Sequence, residues 1–254
     1  MSESGQPKRT VLITGAAGGI GAATARVFKA DGWTTVGVDR READVSGLDH
    51  LIVADISDPA APARIFEQLA EHTDRLDALV NNAAHQICKP VIETTAEEFD
   101  QVMASNIRSV FLSMKHAYPL LKRTGGAIVN VSSVHAMATS KNIAAYAASK
   151  GALLAFTRAV ALEFGADNVR VNAILPGAVD TPMLHAGLER GHLTPGSTDE
   201  LVRGLGSRHV IGRVGDPEEI GQAILFLSDS ARSSFITGQA LIADGGALAR
   251  LSTE

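Results

Sequence analysis

The chain has 254 residues, a formal net charge of −5, a hydrophobic fraction of 45% and a charged fraction of 20%. That is an ordinary globular composition, long enough to bury a large core without staples. The acidic balance leaves no basic footprint for nucleic acid, the lone Cys88 excludes an intrachain disulfide and suits a reducing compartment, and no stretch reaches the ~18 apolar residues of a membrane span.

Residues 1–9 are polar and lack the apolar centre of a secretory signal, so they read as a loose tail on a cytoplasmic protein. Beyond them, short β-branched runs alternate with longer Ala-rich stretches. Strands are predicted at Thr10–Thr14, Thr34–Val38, His50–Ala54, Ala78–Asn81, Ala127–Ser132, Val169–Ile174 and Ala240–Ala243. Several are apolar along nearly their whole length, as strands buried on both faces of a parallel sheet are. Helices are predicted at about 19–31, 60–72, 96–104, 107–123, 145–164 and 217–228. Asp216-Pro217-Glu218-Glu219 carries an N-cap, a proline at N1 and a glutamate at N3. Gly165 stands where a left-handed C-cap is favoured. Repeated strand–helix–strand units with right-handed crossovers give an α/β fold: one doubly wound Rossmann-type domain over residues 10–254, with a mostly parallel seven-stranded sheet. Residues 178–209 read as a long irregular segment bearing Gly187, Gly191, Pro195, Gly196, Gly204 and Gly206, and as a lid over a site.

The first strand runs into Thr14-Gly15-Ala-Ala-Gly-Gly19-Ile20-Gly21, which opens the first helix. Glycines at such a turn let backbone approach a pyrophosphate, and the helix N-terminus adds free N–H groups and positive dipole. The second strand ends at Asp39, whose carboxylate can accept from both adenosine ribose hydroxyls and would repel a 2′-phosphate. It therefore argues for NAD over NADP. Arg40 and Arg41 follow and read as solvated turn charges. Asp55, with Ile56 beside it, is placed either to read an adenine edge or to cap a turn.

Tyr146 and Lys150 stand four apart on a predicted helix, so they share a face. A free phenol titrates near 10, and a neighbouring ammonium favours the phenolate and makes it usable for proton transfer. Ser133 lies thirteen residues upstream at the end of a strand, where its hydroxyl can bind the oxygen whose proton the tyrosine handles. Taken alone, a Tyr–Lys pair usually forms a solvated helix face.

With the glycine turn, Asn81-Asn82-Ala83 and Tyr146-xxx-Lys150 in this order, the chain resembles the short-chain dehydrogenase/reductase family from about residue 9 to 247, in its compact branch. The resemblance implies hydride transfer between an alcohol or ketone and a nicotinamide cofactor. It implies Tyr146 as general acid/base, Lys150 as its pKa-lowering and ribose-binding partner, Ser133 as the polarising hydroxyl and Asn106 as the end of a proton relay. It further implies Thr14, Gly15, Gly19, Ile20 and Gly21 at the phosphates, Asn82 and Ala83 at the adenine ribose, and Pro176, Gly177 and Thr181 on the nicotinamide side, with Ile174 or Val179 at the carboxamide. Ala84 stands where the family usually has glycine. An enoyl reductase would usually show a longer Tyr-to-Lys spacing.

His85, His135 and Asn142 lie on loops that tend to face substrate in this family, so a polar pocket for a sugar, polyol or hydroxy acid is expected. No His spacing matches a metal site. Apolar helices near 107–123 and 145–164 lead to an expected homotetramer. The alternatives are an NADP-dependent carbonyl reductase, a silent NAD-binding regulator, and a lyase or epimerase using NAD transiently.

Overall fold

The computed structural model describes residues 8–188 and 197–249. Seven strands, β1 (Thr10–Thr14), β2 (Thr34–Asp39), β3 (His50–Val53), β4 (Ala78–Asn81), β5 (Ala127–Val131), β6 (Arg170–Pro176) and β7 (Ala240–Ala243), form one sheet in the order β3-β2-β1-β4-β5-β6-β7. Every pairing is parallel, so the sheet goes beyond the mostly parallel one expected. The connecting helices are α1 (Gly19–Ala30), α2 (Ala61–His72), α3 (Ala96–Met103), α4 (Ser109–Thr124), α5 (Ala144–Phe164), α6 (Pro182–Leu188), α7 (Thr198–Gly206), α8 (Pro217–Ser228) and α9 (Ser230–Ser233).

Strand periodicity sorts the core into two layers. Leu12, Val36, Val38, Leu79 and Ile128 face Ile65 and Leu69 of α2, Met114 and Leu121 of α4, and Leu153 of α5. Their sequence neighbours Val11, Ile13, Val80 and Val129 face Val27 and Phe28 of α1 and Ile220, Ile224 and Leu225 of α8. Each fully buried side chain of this size contributes about 1.5–3 kcal/mol of transfer free energy, which explains why runs apolar on both faces form the central strands. The strand order reverses between β1 and β4. In open parallel sheets the ligand crevice lies beyond the carboxyl ends of the strands at such a point. Thr14, Asp39, Asn81, Val131 and Pro176 are the strand-end residues on that side.

Three local expectations change. The segment 178–209 contains two helices, α6 and α7, where irregular chain was expected; Gly191, Pro195 and Gly196 lie outside the described residues. The helix α7 is started by a reciprocal capping box, Ser197 with Glu200, which outweighs Gly204 and Gly206 near its end. Gly165 is right-handed (φ −59°) and continues into a short 3₁₀ turn, and the left-handed residue is Asn168 (φ 58°). Ala84 does not have positive φ, since among the described non-glycine residues only Asn142 and Asn168 do. The missing family glycine therefore leaves no strain there. The expected capping box at Asp216 is present at α8.

Candidate active site

The turn after β1 is closed by its own glycines. Gly15 is left-handed (φ +67°) and its carbonyl accepts from Gly18 N at 3.1 Å. A Cβ on Gly21 would stand 2.1 Å from Gly15 O, and one on Gly19 would stand 2.6 Å from the Thr181 methyl. Glycine is thus required where backbone meets backbone and where the entry to α6 meets the start of α1. Asn82 clamps the turn, with Nδ2 donating to Thr14 O (3.0 Å) and Gly15 O (3.1 Å). Thr14 Oγ1 accepts from Asn82 N (3.0 Å) and Ala83 N (3.1 Å). Ile20 and Ile56 pack against the two core layers, which fixes the turns that carry them.

Asp39 ends β2 almost buried. Its Oδ2 accepts from Ala17 N at 3.0 Å and its Oδ1 from Arg41 N at 3.1 Å, while the Arg41 guanidinium approaches at 3.5 Å. The carboxylate is therefore held against the glycine turn. Asp55 accepts from Ser57 N (2.9 Å) and Ser57 Oγ (2.7 Å), and these bonds hold its pKa below the usual carboxylate value. That is the turn-capping arrangement. Gly177 lies against Asp244, where a Cβ would stand 2.8 Å from Asp244 Cα, and Pro176 pairs with Ala243.

The chemistry-bearing cluster stands at the ends of β5 and the start of α5. Lys150 is buried, and its Nζ donates to Val131 O at 2.7 Å and lies 5.4 Å from the centre of the Tyr146 ring. Ser132 Oγ donates to Lys150 O at 3.0 Å, so the two adjacent serines have different tasks. Ser133 hydrogen-bonds the Tyr146 phenol and accepts from His135 N at 3.2 Å. Burial pushes the phenol up to about 12, partly offset by the Ser133 hydrogen bond. Burial likewise pushes the Lys150 ammonium down to about 7. In the protein by itself the phenol is raised where a lowering by Lys150 was expected, because desolvation outweighs the Ser133 hydrogen bond, the lowering influence on it.

Asn106 sits in a stretch of wider π-helical winding, Ala104–Arg108, between α3 and α4. Such bulges recur at functional sites. Its Oδ1 accepts from His85 N (2.7 Å), and its Nδ2 donates to His85 O (2.9 Å) and to Ser149 Oγ (2.9 Å). Ser149 Oγ in turn donates to Tyr146 O at 2.7 Å. Asn106 thus ties the loop after β4 to the tyrosine-bearing turn of α5. Its direct side-chain bonds run to His85 and Ser149.

The His135 ring meets the Tyr146 ring edge-to-face, with centres 6.0 Å apart, and its Nδ1 lies 3.0 Å from Thr139 Oγ1. Burial lowers its pKa below the ordinary histidine value, so the imidazole is neutral at pH 7. Asn142 occupies the left-handed turn before α5. Cys88 lies close enough to Tyr146 to raise its pKa further. Ser149, Thr139 and Cys88 escape a sequence reading. Only Ser149 carries a signal, its position three residues after the tyrosine. Among the described residues no group of three or more His, Cys, Asp or Glu is placed to hold a metal.

Residues 15–247 match a family model described as enoyl-(acyl carrier protein) reductase. A cyclopentanol dehydrogenase from a Comamonas species is 36% identical over 250 residues, covering 94% of this chain and 96% of that one. A meso-2,3-butanediol dehydrogenase from Serratia marcescens is 35% identical over 249 residues, 95% of each chain. The ligand-free structure of an aldohexose dehydrogenase from Thermoplasma acidophilum superposes with a TM-score of 0.89 at 31% identity, over 96% of each chain. The chain belongs to the short-chain dehydrogenase/reductase family and is an oxidoreductase that acts on CH–OH groups with a nicotinamide cofactor.

Proposed function

We propose that the protein is an NAD-dependent dehydrogenase of hydroxylated secondary alcohols, or a reductase of the matching ketones. The observation that carries the reading is the meeting of Ser133, Tyr146 and Lys150 beyond the carboxyl end of β5, on the same edge of the parallel sheet as the glycine turn after β1. The residues fit a dinucleotide: the turn has no room for side chains at Gly19 and Gly21, and Asp39 stands at the end of β2. Gly15, Gly19 and the N-terminus of α1 would hold the pyrophosphate, Asp39 the adenosine ribose, Asp55 the adenine side through Oδ2, since Ser57 takes only Oδ1, Lys150 the nicotinamide ribose, and Pro176, Gly177 and Thr181 the nicotinamide side. When bound, the nicotinamide supplies the acceptor or donor of hydride.

The rest is done by the chain. Ser133 donates to the substrate oxygen, and Tyr146 takes or gives the proton of that oxygen. Lys150 holds Nζ over the phenol ring at 5.4 Å, and phenolate would be stabilised by a positive cofactor ring beside the pair. Asn106, through Ser149, holds the turn that carries the tyrosine. General acid/base catalysis of this kind contributes about 10²–10⁴-fold. The Tyr-xxx-Lys spacing favours alcohol or carbonyl chemistry over the enoyl reduction in the family model's description, and relatives named as cyclopentanol and 2,3-butanediol dehydrogenases support it.

The α5 surface also supports self-association. Ala148, Ala155, Ala159 and Leu162 are exposed along one side of that helix, an apolar stripe suited to a second copy and hence to the homotetramer. By contrast α4 carries Lys115, His116, Lys122 and Arg123 and is less apolar than expected. A reducing, cytoplasmic setting suits the free Cys88.

The test is NADH fluorescence with sugars, polyols and secondary alcohols, repeated with NADP. Turnover with NAD and a hydroxylated alcohol is expected. A strong preference for NADP would overturn the Asp39 reading, and no turnover with either cofactor would overturn the enzyme assignment in favour of a silent regulator.

A further inference from the structure

Around the phenol stand a hydroxyl, an imidazole and a thiol. Ser133 bonds the phenol and Cys88 lies close to it, while the His135 ring sits edge-on to the Tyr146 ring at 6.0 Å. The imidazole is fixed at two points. Its backbone N–H donates to Ser133 Oγ, the hydroxyl that would hold the reacting oxygen, and its Nδ1 is engaged by Thr139 Oγ1 at 3.0 Å. Whichever tautomer Thr139 selects, Nε2 keeps one hydrogen-bonding function, and among the described residues it has no hydrogen bond. The ring thus offers a single unbonded polar atom beside the Tyr146 ring, on backbone tied to Ser133 Oγ.

We propose that His135 is a specificity-determining residue that hydrogen-bonds a second hydroxyl on the carbon adjacent to the reacting one, which makes vicinal diols and the matching α-hydroxy ketones the substrate class. The inference rests on the oxidoreductase reading above. In a gauche vicinal diol the two oxygens lie about a hydrogen-bond length apart. A substrate whose first oxygen is bound by Ser133 and Tyr146 therefore places its second within reach of a neighbour on the same loop. The neutral state of His135 supports this, because an uncharged imidazole recognises an uncharged hydroxyl without a buried ion. A monohydric alcohol would leave Nε2 without that partner, and sites built to pair a hydroxyl discriminate against analogues that lack it.

The experiment compares kcat/KM with NAD for butane-2,3-diol against butan-2-ol and for cyclopentane-1,2-diol against cyclopentanol. It uses the wild type, His135→Phe, which keeps a ring against Tyr146, and His135→Gln, which restores a polar end. The wild type should prefer the diol of each pair by about tenfold or more. His135→Phe should bring that ratio near one, chiefly through the KM of the diol, and His135→Gln should restore part of it. A purely structural role would lower both members of a pair together and leave the ratio intact. An unchanged ratio in His135→Phe, or no diol preference in the wild type, overturns the proposal while the oxidoreductase reading stands. No turnover of any of the four alcohols by the wild type overturns that reading and the proposal with it.

Discussion

Replacing Lys150 by methionine removes a buried ammonium while keeping the length of the side chain. Burial brings the folded-state pKa of this lysine from 10.5 down to about 7. Between those values the unfolded chain holds a proton that the folded chain has released. Stability therefore rises with pH across this window, by up to about 1.4 kcal/mol per pH unit and roughly 5 kcal/mol in all. Below pH 7 both states are protonated and the full cost of the buried charge is present. Above 10.5 both are neutral and the cost is gone. The assay is guanidinium unfolding of wild type and Lys150→Met at fixed protein concentration, from about pH 7 to 9.5. The range stops short of the window from 10 to about 12, where the raised Tyr146 pKa makes stability fall as pH rises. Methionine also leaves Val131 O without its donor, an offset of about 1–3 kcal/mol that does not change with pH. Titrations common to both proteins cancel in the difference. The wild type should gain roughly 2–3 kcal/mol relative to the variant over the range. Equal slopes in the two proteins would refute the assignment of a buried, easily deprotonated lysine.

Tyr146→Phe should lower kcat by about 10²–10⁴-fold while the cofactor dissociation constant, followed by NADH fluorescence, stays nearly constant; comparable turnover would remove Tyr146 from proton transfer. Gly21→Ala forces a methyl to 2.1 Å from Gly15 O, so Tm should fall with a loss of about 1–3 kcal/mol and NAD should bind more weakly, and a wild-type titration curve would show that the turn can relax. Asp39→Ser frees Ala17 N and Arg41, and the ratio of kcat/KM for NADP over NAD should rise by about tenfold or more once the repelling carboxylate is gone; an unchanged ratio would place cofactor choice elsewhere.

Much of the fold was legible because its strands are short apolar runs between helices, and burial on both faces leaves that mark in composition. The glycine turn was legible because Gly15, Gly19 and Gly21 abut backbone or side chain, a demand no other residue meets. What escaped was of two kinds. Within 178–209 the glycines and prolines masked α6 and α7, although Ser197 and Glu200 three residues apart are a readable helix start. Gly165 looked like the left-handed residue, but the turn extends to Asn168, whose short amide side chain tolerates that conformation. The second kind is tertiary. Cys88 lies 58 residues before Tyr146 in sequence and the sheet brings them together. The buried chain from Asn81 to Asn130 to Thr157, at 2.9 Å per step, joins β4, β5 and α5 across 76 residues. No local pattern reports such pairings. The reversal of the expected phenol pKa belongs here too, since it depends on how deeply the fold buries both groups.

Asn106 grips the loop after β4 through the main chain alone, taking the N–H and giving to the C=O of His85. The side chain at position 85 takes no part in that grip. The tie between this loop and the turn that carries Tyr146 therefore runs through the backbone at 85, whatever side chain stands there. A mount made of main chain is indifferent to the sequence that passes through it.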